Sequence, residues 1–119
     1  MAGQLVHFEI PESDTERGRA FWGGLFGWEF REAFEGVDYH VAQISEGVGS
    51  AMAKVEGGAR GARAYFDVDD IDAGGARVRE LGGEAGERMP VPGMGWYVHC
   101  SDPHGNAFGL WQSDPEASM

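Results

Sequence analysis

The chain has 119 residues, close to the usual size of one domain, so a second independent hydrophobic core is not expected. Hydrophobic residues make up 42% of the sequence, which is enough for a compact core and argues against disorder. Acidic residues outnumber basic ones by 20 to 9, and the net charge of −11 argues against binding to nucleic acid or to anionic lipid.

The sequence also indicates where the protein works. No apolar run approaches the roughly 20 residues that a membrane span needs, and the first residues lack the pattern of a signal peptide. The single cysteine, Cys100, has no partner for an internal disulfide, which favours a reducing compartment. We therefore predict a soluble, cytoplasmic protein in which Cys100 is buried and inert.

The first predicted elements are a strand and a helix. Residues 4–10 alternate between apolar and polar side chains, which predicts a strand that ends at Pro11. The segment SDTE at residues 13–16 is typical of a capping box with Ser13 as the helix cap, and Gly27 is placed to close the helix.

That helix is predicted to pack against a sheet. Phe21, Leu25 and Trp28 form its apolar stripe, and Gly23 and Gly24 are expected to allow close packing.

Three more strands are predicted at residues 28–32, 37–45 and 50–55, followed by a glycine-rich linker. The order of elements is then β-α-β-β-β.

The same order begins again after the linker. Residues 65–69 repeat the aromatic and acidic character of residues 7–11, and an apolar stripe of Ile71, Val78 and Leu81 predicts a second helix. Prolines and glycines predict an irregular loop, a possible lid, over residues 89–95, and residues 102–105 have the composition of a type I turn.

We therefore predict an α+β fold of two βαβββ modules. The predicted boundaries are residues 4–55 for module one, 56–62 for the linker, 63–113 for module two and 114–119 for a disordered tail.

Three segments resemble the vicinal oxygen chelate superfamily, which includes glyoxalase I, bleomycin-resistance proteins and extradiol dioxygenases. They are VHFEI at residues 6–10, FWGGLFGW at 21–28 and DPHGNAFGLW at 102–111. The chain is similar to short, single-domain members related to lactoylglutathione lyase. The resemblance implies the glyoxalase/bleomycin resistance fold, a curved, barrel-like mixed sheet around a cleft for a small molecule, often in a homodimer.

The resemblance also implies where a divalent metal would bind. Its four positions fall on His7, Ala53, Tyr65 and Gly109, with Ala53 placed from the offset between the modules. Only His7 is a good ligand, and a catalytic metal usually needs three protein ligands. We therefore expect no cofactor, and a divalent metal is disfavoured. An atypical metal site is left open, because Glu9 and Asp67 lie two residues after His7 and Tyr65 and share their strand faces.

The candidate site residues are those expected to line the cleft. His7 and Glu9 are candidates for proton transfer. The predicted ligand contacts are His7, Glu9, Tyr39, Tyr65, Asp67, Trp96 and Trp111. For Trp96 and Trp111, packing in the core or in a dimer is an equal alternative, and His40, His99 and His104 are given no catalytic role.

Three functions remain open from the sequence. The first is a metal-independent small-molecule binding protein. The second is an enzyme, namely a lyase, an isomerase or a dioxygenase-like protein, that uses His7 and Glu9 or an unusual metal site. The third is a structural dimeric protein whose cleft is vestigial. No glycine pattern supports a nucleotide cofactor.

Overall fold

The computed structural model of the protein describes residues 2–55 and 61–119. Backbone contacts divide the chain into two units, His7–Arg63 and a second unit composed of the residues up to Val6 together with Ala64–Met119. Most of the predicted linker, residues 56–60, lies outside the described residues. Each unit contains one helix and a mixed sheet, which confirms the predicted α+β fold with two βαβββ modules.

The first unit contains most of one strand and the four elements that follow it. They are β1 (Leu5–Glu12), α1 (Thr15–Phe26), β2 (Arg31–Glu32), β3 (Tyr39–Ser45) and β4 (Val48–Lys54). Strand β4 pairs in parallel with β1 and antiparallel with β3, and β2 pairs with the outer edge of β3. The strand predicted at residues 28–32 is therefore reduced to its last two residues.

The second unit repeats this topology with one additional short strand. Its elements are β5 (Arg63–Asp67), α2 (Ile71–Glu80), β6 (Glu84–Ala85), β7 (Met89–Val91), β8 (Gly95–Ser101) and β9 (Ala107–Ser113). The first strand, β5, again pairs in parallel with the last strand, β9, and β8 lies antiparallel to β9. Strands β6 and β7 both pair with β8. The repeat seen in the sequence is thus a repeat of strand pairing.

Helix α1 is positioned by a cap and by one close contact. The cap is Asp14 and not Ser13, because the Asp14 carboxylate accepts a hydrogen bond from the Arg17 N–H at 3.2 Å. Gly27 closes the helix in the left-handed conformation, as predicted. The close approach to the sheet occurs at Gly18, where an added Cβ would lie 2.6 Å from Met52 Sδ, and not at Gly23 or Gly24.

Helix α2 covers one face of the second sheet and forms its hydrophobic core. Ile71 packs there with Val98, Cys100 and Leu110. Cys100 is buried as predicted, and burial raises the pKa of its thiol. The two helices have 12 and 10 residues, and no helix of the described residues is long and apolar enough to cross a membrane.

Three predictions about strands and termini need correction. Strand β1 continues through Pro11 to Glu12, since proline is tolerated near the end of a strand. Residues 89–91 form β7 of a hairpin with β8, so this segment is not an irregular loop. Part of the predicted disordered tail is ordered, because Asp114 donates to the Met94 carbonyl at 2.8 Å and Ala117, 3% exposed, accepts from Gly93.

Candidate functional site

One face of the first unit's sheet brings His7, Glu9 and Tyr39 together. His7 and Glu9 lie two residues apart on β1 and share a face, and Tyr39 begins β3. The Tyr39 hydroxyl donates a hydrogen bond to Glu9 Oε2 at 2.8 Å and lies 3.3 Å from His7 Nε2. The three residues form a hydrogen-bonded cluster, which we call the His7 cluster.

The His7 cluster lies on the sheet face opposite α1. His40, the neighbour of Tyr39, is paired in register with Met52, and Met52 is the residue that α1 contacts through Gly18. Since side chains alternate along a strand, Tyr39 points to the other face. Helix α1 therefore packs on the other face of this sheet and does not contact the His7 cluster.

The hydrogen bonds of the cluster determine which nitrogen of His7 carries the proton. Tyr39 has one hydroxyl hydrogen, and it is used in the bond to Glu9. The contact between His7 Nε2 and the Tyr39 oxygen is then made by Nε2–H as donor.

Burial favours the neutral form of the His7 imidazole. Removal from water lowers the pKa of His7 below its ordinary value of 6.5, while the nearby Glu9 carboxylate acts in the opposite direction. A neutral imidazole is able to act as a base or as a hydrogen-bond partner for a ligand.

A second group of side chains occupies one face of the second unit's sheet. The Tyr65 hydroxyl lies 3.0 Å from His99 Nε2, and the ring centroids of Tyr97 and His99 are 5.1 Å apart. Asp67 shares the face of Tyr65, and its backbone is paired in register with Trp111. We call this group the Tyr65 cluster.

His99 was not predicted as a site residue, although the sequence carries a signal for it. Trp96, Val98 and Cys100 alternate along β8, and such an apolar alternation indicates the buried face of a strand. Tyr97 and His99 then lie on the other face, where the structure places them.

The structure separates the two tryptophans for which ligand contact and packing were equal alternatives. Trp96 packs against the core beneath α2, its Nε1–H donates to Asp114 at 3.0 Å, and the Arg88 guanidinium lies 4.2 Å from its ring centroid. Trp111 lies on the opposite face of the sheet and donates to Ser113 Oγ at 3.0 Å. Of the two tryptophans, Trp96 is therefore the one that packs against the core.

The residues present do not fit the metal site that the resemblance implies. Strand register places Gly49, and not Ala53, opposite His7, and it places Gly109 opposite Tyr65. Neither glycine has a donor, and the Tyr65 ring fills the space that a side chain at position 109 would need. Among residues 2–55 and 61–119, no three His, Cys, Asp or Glu side chains are grouped as metal ligands.

Solved structures share this fold across the whole chain. Methylmalonyl-CoA epimerase from Streptomyces coelicolor superposes with a TM-score of 0.66 at 19% sequence identity and covers 100% of both chains. Homoprotocatechuate 2,3-dioxygenase from Brevibacterium fuscum gives a TM-score of 0.71 at 18% identity, covering 99% of this chain and 38% of its own. Both comparisons confirm the predicted glyoxalase/bleomycin resistance fold.

Sequence relatives and a family model give the same assignment. A glyoxylase-like domain-containing protein from Didymella fabae is 32% identical over 92 residues, which cover 69% of this chain and 70% of that protein. CFP32 of Mycobacterium tuberculosis, which carries a glyoxylase name, is 28% identical over 119 residues, and this chain spans 46% of its length. The model of the Glyoxalase/Bleomycin resistance protein/Dioxygenase superfamily matches residues 4–110, so the chain belongs to this superfamily.

Proposed function

We propose that this protein binds a small organic molecule on the His7 cluster without a resident metal. The observation that carries the proposal is the hydrogen-bonded set of His7, Tyr39 and Glu9 on a sheet face that its own helix does not cover. The set offers a neutral imidazole, a hydroxyl and a carboxylate within one hydrogen-bond network. Binding pockets use few polar groups in this way to orient a ligand.

The test is a ligand screen by NMR on metal-free and metal-loaded protein. We expect fragments that bind to shift the amide signals around His7 and Tyr39, with equal affinity with and without Zn²⁺. His7→Gln and Tyr39→Phe should each weaken this binding, whereas His104→Gln in the exposed turn should not. Stoichiometric metal retained through purification, or binding only with metal, would contradict the proposal, and so would fragment binding that His7→Gln leaves unchanged.

A second candidate is an enzyme that transfers a proton. The observation that favours it is the buried His7 imidazole beside the Glu9 carboxylate, because burial lowers the pKa of His7 and a neutral imidazole is a suitable general base near neutral pH. The test is exchange of acidic C–H groups of dicarbonyl compounds with deuterium from D₂O, followed by NMR. Catalysed exchange that His7→Gln lowers at least about 100-fold supports this candidate, and exchange no faster than in buffer contradicts it.

We also propose that the protein forms a homodimer through α1. Phe21, Leu25 and Phe26 are each more than half exposed on this helix, contrary to the predicted stripe facing the sheet. Such a patch on a single chain marks an interaction surface. CFP32, of which this chain spans 46%, is long enough to contain a second domain of this size.

Sedimentation measurements test the dimer. Leu25→Glu should shift the protein toward monomer, whereas Leu81→Glu, at a similarly exposed residue outside α1, should not. A monomeric wild-type protein would contradict the dimer. A stable dimer that binds no fragment would instead favour the structural alternative with a vestigial cleft.

A further inference from the structure

The first unit contains a depression on the sheet face that α1 covers. Its volume is about 640 Å³, within the range of small-molecule sites. The first turns of α1 line one side, and the start of β3 and the end of β4 line the other. Asp38, Tyr39 and His40 alternate in direction, so Asp38 and His40 line this cavity while Tyr39 belongs to the His7 cluster on the opposite face.

Two buried groups fix the orientation of one carboxylate in this cavity. The Thr15 hydroxyl donates to Asp38 Oδ1 at 2.6 Å, and His40 Nε2 lies 2.8 Å from the same oxygen. Thr15 and His40 are 5% and 7% exposed, whereas the Asp38 side chain is 47% exposed. A carboxylate that two buried groups hold in place is preorganised for binding. Within the described part of the chain, the other oxygen of Asp38, Oδ2, has no hydrogen-bond partner.

Cations line the same cavity without a partner. Arg19 makes no ion pair among residues 2–55 and 61–119, and its buried Nε–H has no hydrogen-bond acceptor there. Lys54 also lines the cavity and forms no ion pair within the described ranges. In a chain with 20 acidic and 9 basic residues, two unpaired cations at one cavity are informative, because acidic partners are abundant. A buried polar group without a partner calls for a ligand or a bound water.

We propose that this cavity binds a small zwitterion, a molecule of the free α-amino acid class. The carboxylate of the ligand would pair with Arg19, and its ammonium group would pair with Asp38. The carboxylates of Asp14, Glu16, Glu32 and Asp38 all line the cavity, which disfavours a dianion such as phosphate. Arg19 and Lys54 in turn disfavour a ligand that is only cationic, so a molecule with both charges fits best.

The experiment is a titration followed by ¹H–¹⁵N NMR of the full chain. The common amino acids are first added as a pool, and then L-serine, N-acetyl-L-serine and L-serinamide are added singly as zwitterion, anion and cation of similar size. We expect the amino acid pool to shift the signals of Thr15, Arg19 and His40. We also expect the zwitterion to bind at least about tenfold more tightly than either analogue that carries a single charge.

Variants test the contacts to the carboxylate and to the ammonium group of the ligand one at a time. Arg19→Gln should remove the preference for L-serine over L-serinamide, and Asp38→Asn should remove the preference over N-acetyl-L-serine. Arg17→Gln, on the same helix but outside this cavity, is the matched control and should bind as the wild type does. If Asp38→Asn fails to fold, Arg19→Gln and Lys54→Gln still test the carboxylate end of the ligand, and each should weaken binding of both carboxylate ligands.

The proposal is overturned if the amino acid pool shifts none of these signals at millimolar concentration. Equal affinity for the three serine compounds would also overturn it, as would an affinity that Arg19→Gln leaves unchanged. Because the cavity and the His7 cluster lie on opposite faces of the sheet, His7→Gln tests only the proposed function, and the two proposals fail independently.

Discussion

The Tyr65 ring occupies the space into which a Cβ at Gly109 would project. The two residues are paired in register on β5 and β9, and a Cβ built at Gly109 would overlap the ring atoms of Tyr65. In the first unit the corresponding pair is His7 and Gly49, where an added Cβ would keep an ordinary distance of 3.7 Å from His7 Nδ1. Both repeats thus place a glycine at this point, but only in the second unit does a neighbouring ring leave no room for a side chain.

Gly109→Ala should destabilise the protein by about 2 kcal/mol, because the ring must shift in a packed interior. Gly49→Ala is the matched control and should cost less, since its Cβ clashes with nothing. Chemical denaturation of both variants measures the difference in the free energy of unfolding. Equal stabilities of the two variants would show that the Tyr65 ring moves at no cost.

A similar comparison tests the packing of α1. Gly18→Ala should destabilise the protein by about 1 to 3 kcal/mol, because its Cβ would lie 2.6 Å from Met52 Sδ and 2.9 Å from Glu12. Gly24→Ala should stabilise it by about 0.5 to 1 kcal/mol, because nothing lies within 4 Å of the added Cβ and alanine favours a helix. Thermal unfolding of both variants checks the opposite signs, and destabilisation by Gly24→Ala would contradict this account.

The pKa of His7 predicts how stability depends on pH. Burial lowers this pKa in the folded state, so the unfolded chain binds more protons between the folded pKa and about 6.5. The free energy of unfolding should therefore rise with pH across this window, and His7→Gln should remove that part of the slope.

Glu9 provides the accompanying test of the same pKa. Its carboxylate raises the pKa of His7, so Glu9→Gln should lower it further. NMR titration of the imidazole protons measures both values. A higher pKa in Glu9→Gln would show that the carboxylate does not act on the ring as we describe.

Thr15 should control the ionisation of Asp38. The hydrogen bond from the Thr15 hydroxyl is the largest cause of the lowered pKa of Asp38, followed by the bond from His40. Thr15→Val should raise this pKa toward its ordinary value, whereas Thr15→Ser retains the hydroxyl and should leave it low. Since a lowered carboxylate pKa stabilises the fold above the unfolded pKa and loses that effect as pH falls, Thr15→Val should also weaken the loss of stability in acid. Carbon NMR of the Asp38 carboxyl group measures the shift.

The candidate site was predictable in part because side chains alternate along a strand. His7 and Glu9 followed from the period of residues 4–10 alone, and Tyr65 and Asp67 followed from the repeat. The same alternation applies to His99, but placing His99 on the face of Tyr65 required knowing which face of β8 is buried. Of the positions that the resemblance implies for a metal, the one opposite His7 falls on Gly49 and not on Ala53, as strand register shows. The sequence could not show this, because pairing between distant strands is not encoded in local spacing.

The sequence by itself determined the order of elements, the duplication of the βαβββ unit and the superfamily, because these depend on local periodicity, turn residues and motifs. Only the tertiary structure decided which polar residues meet. The bond of Tyr39 to Glu9, the pair of Tyr65 and His99, and the bond from Thr15 to Asp38 each join residues that are more than 20 positions apart in the sequence. Such contacts arise from the register of the sheet and from the packing of α1 at Gly18, and these depend on the complete fold.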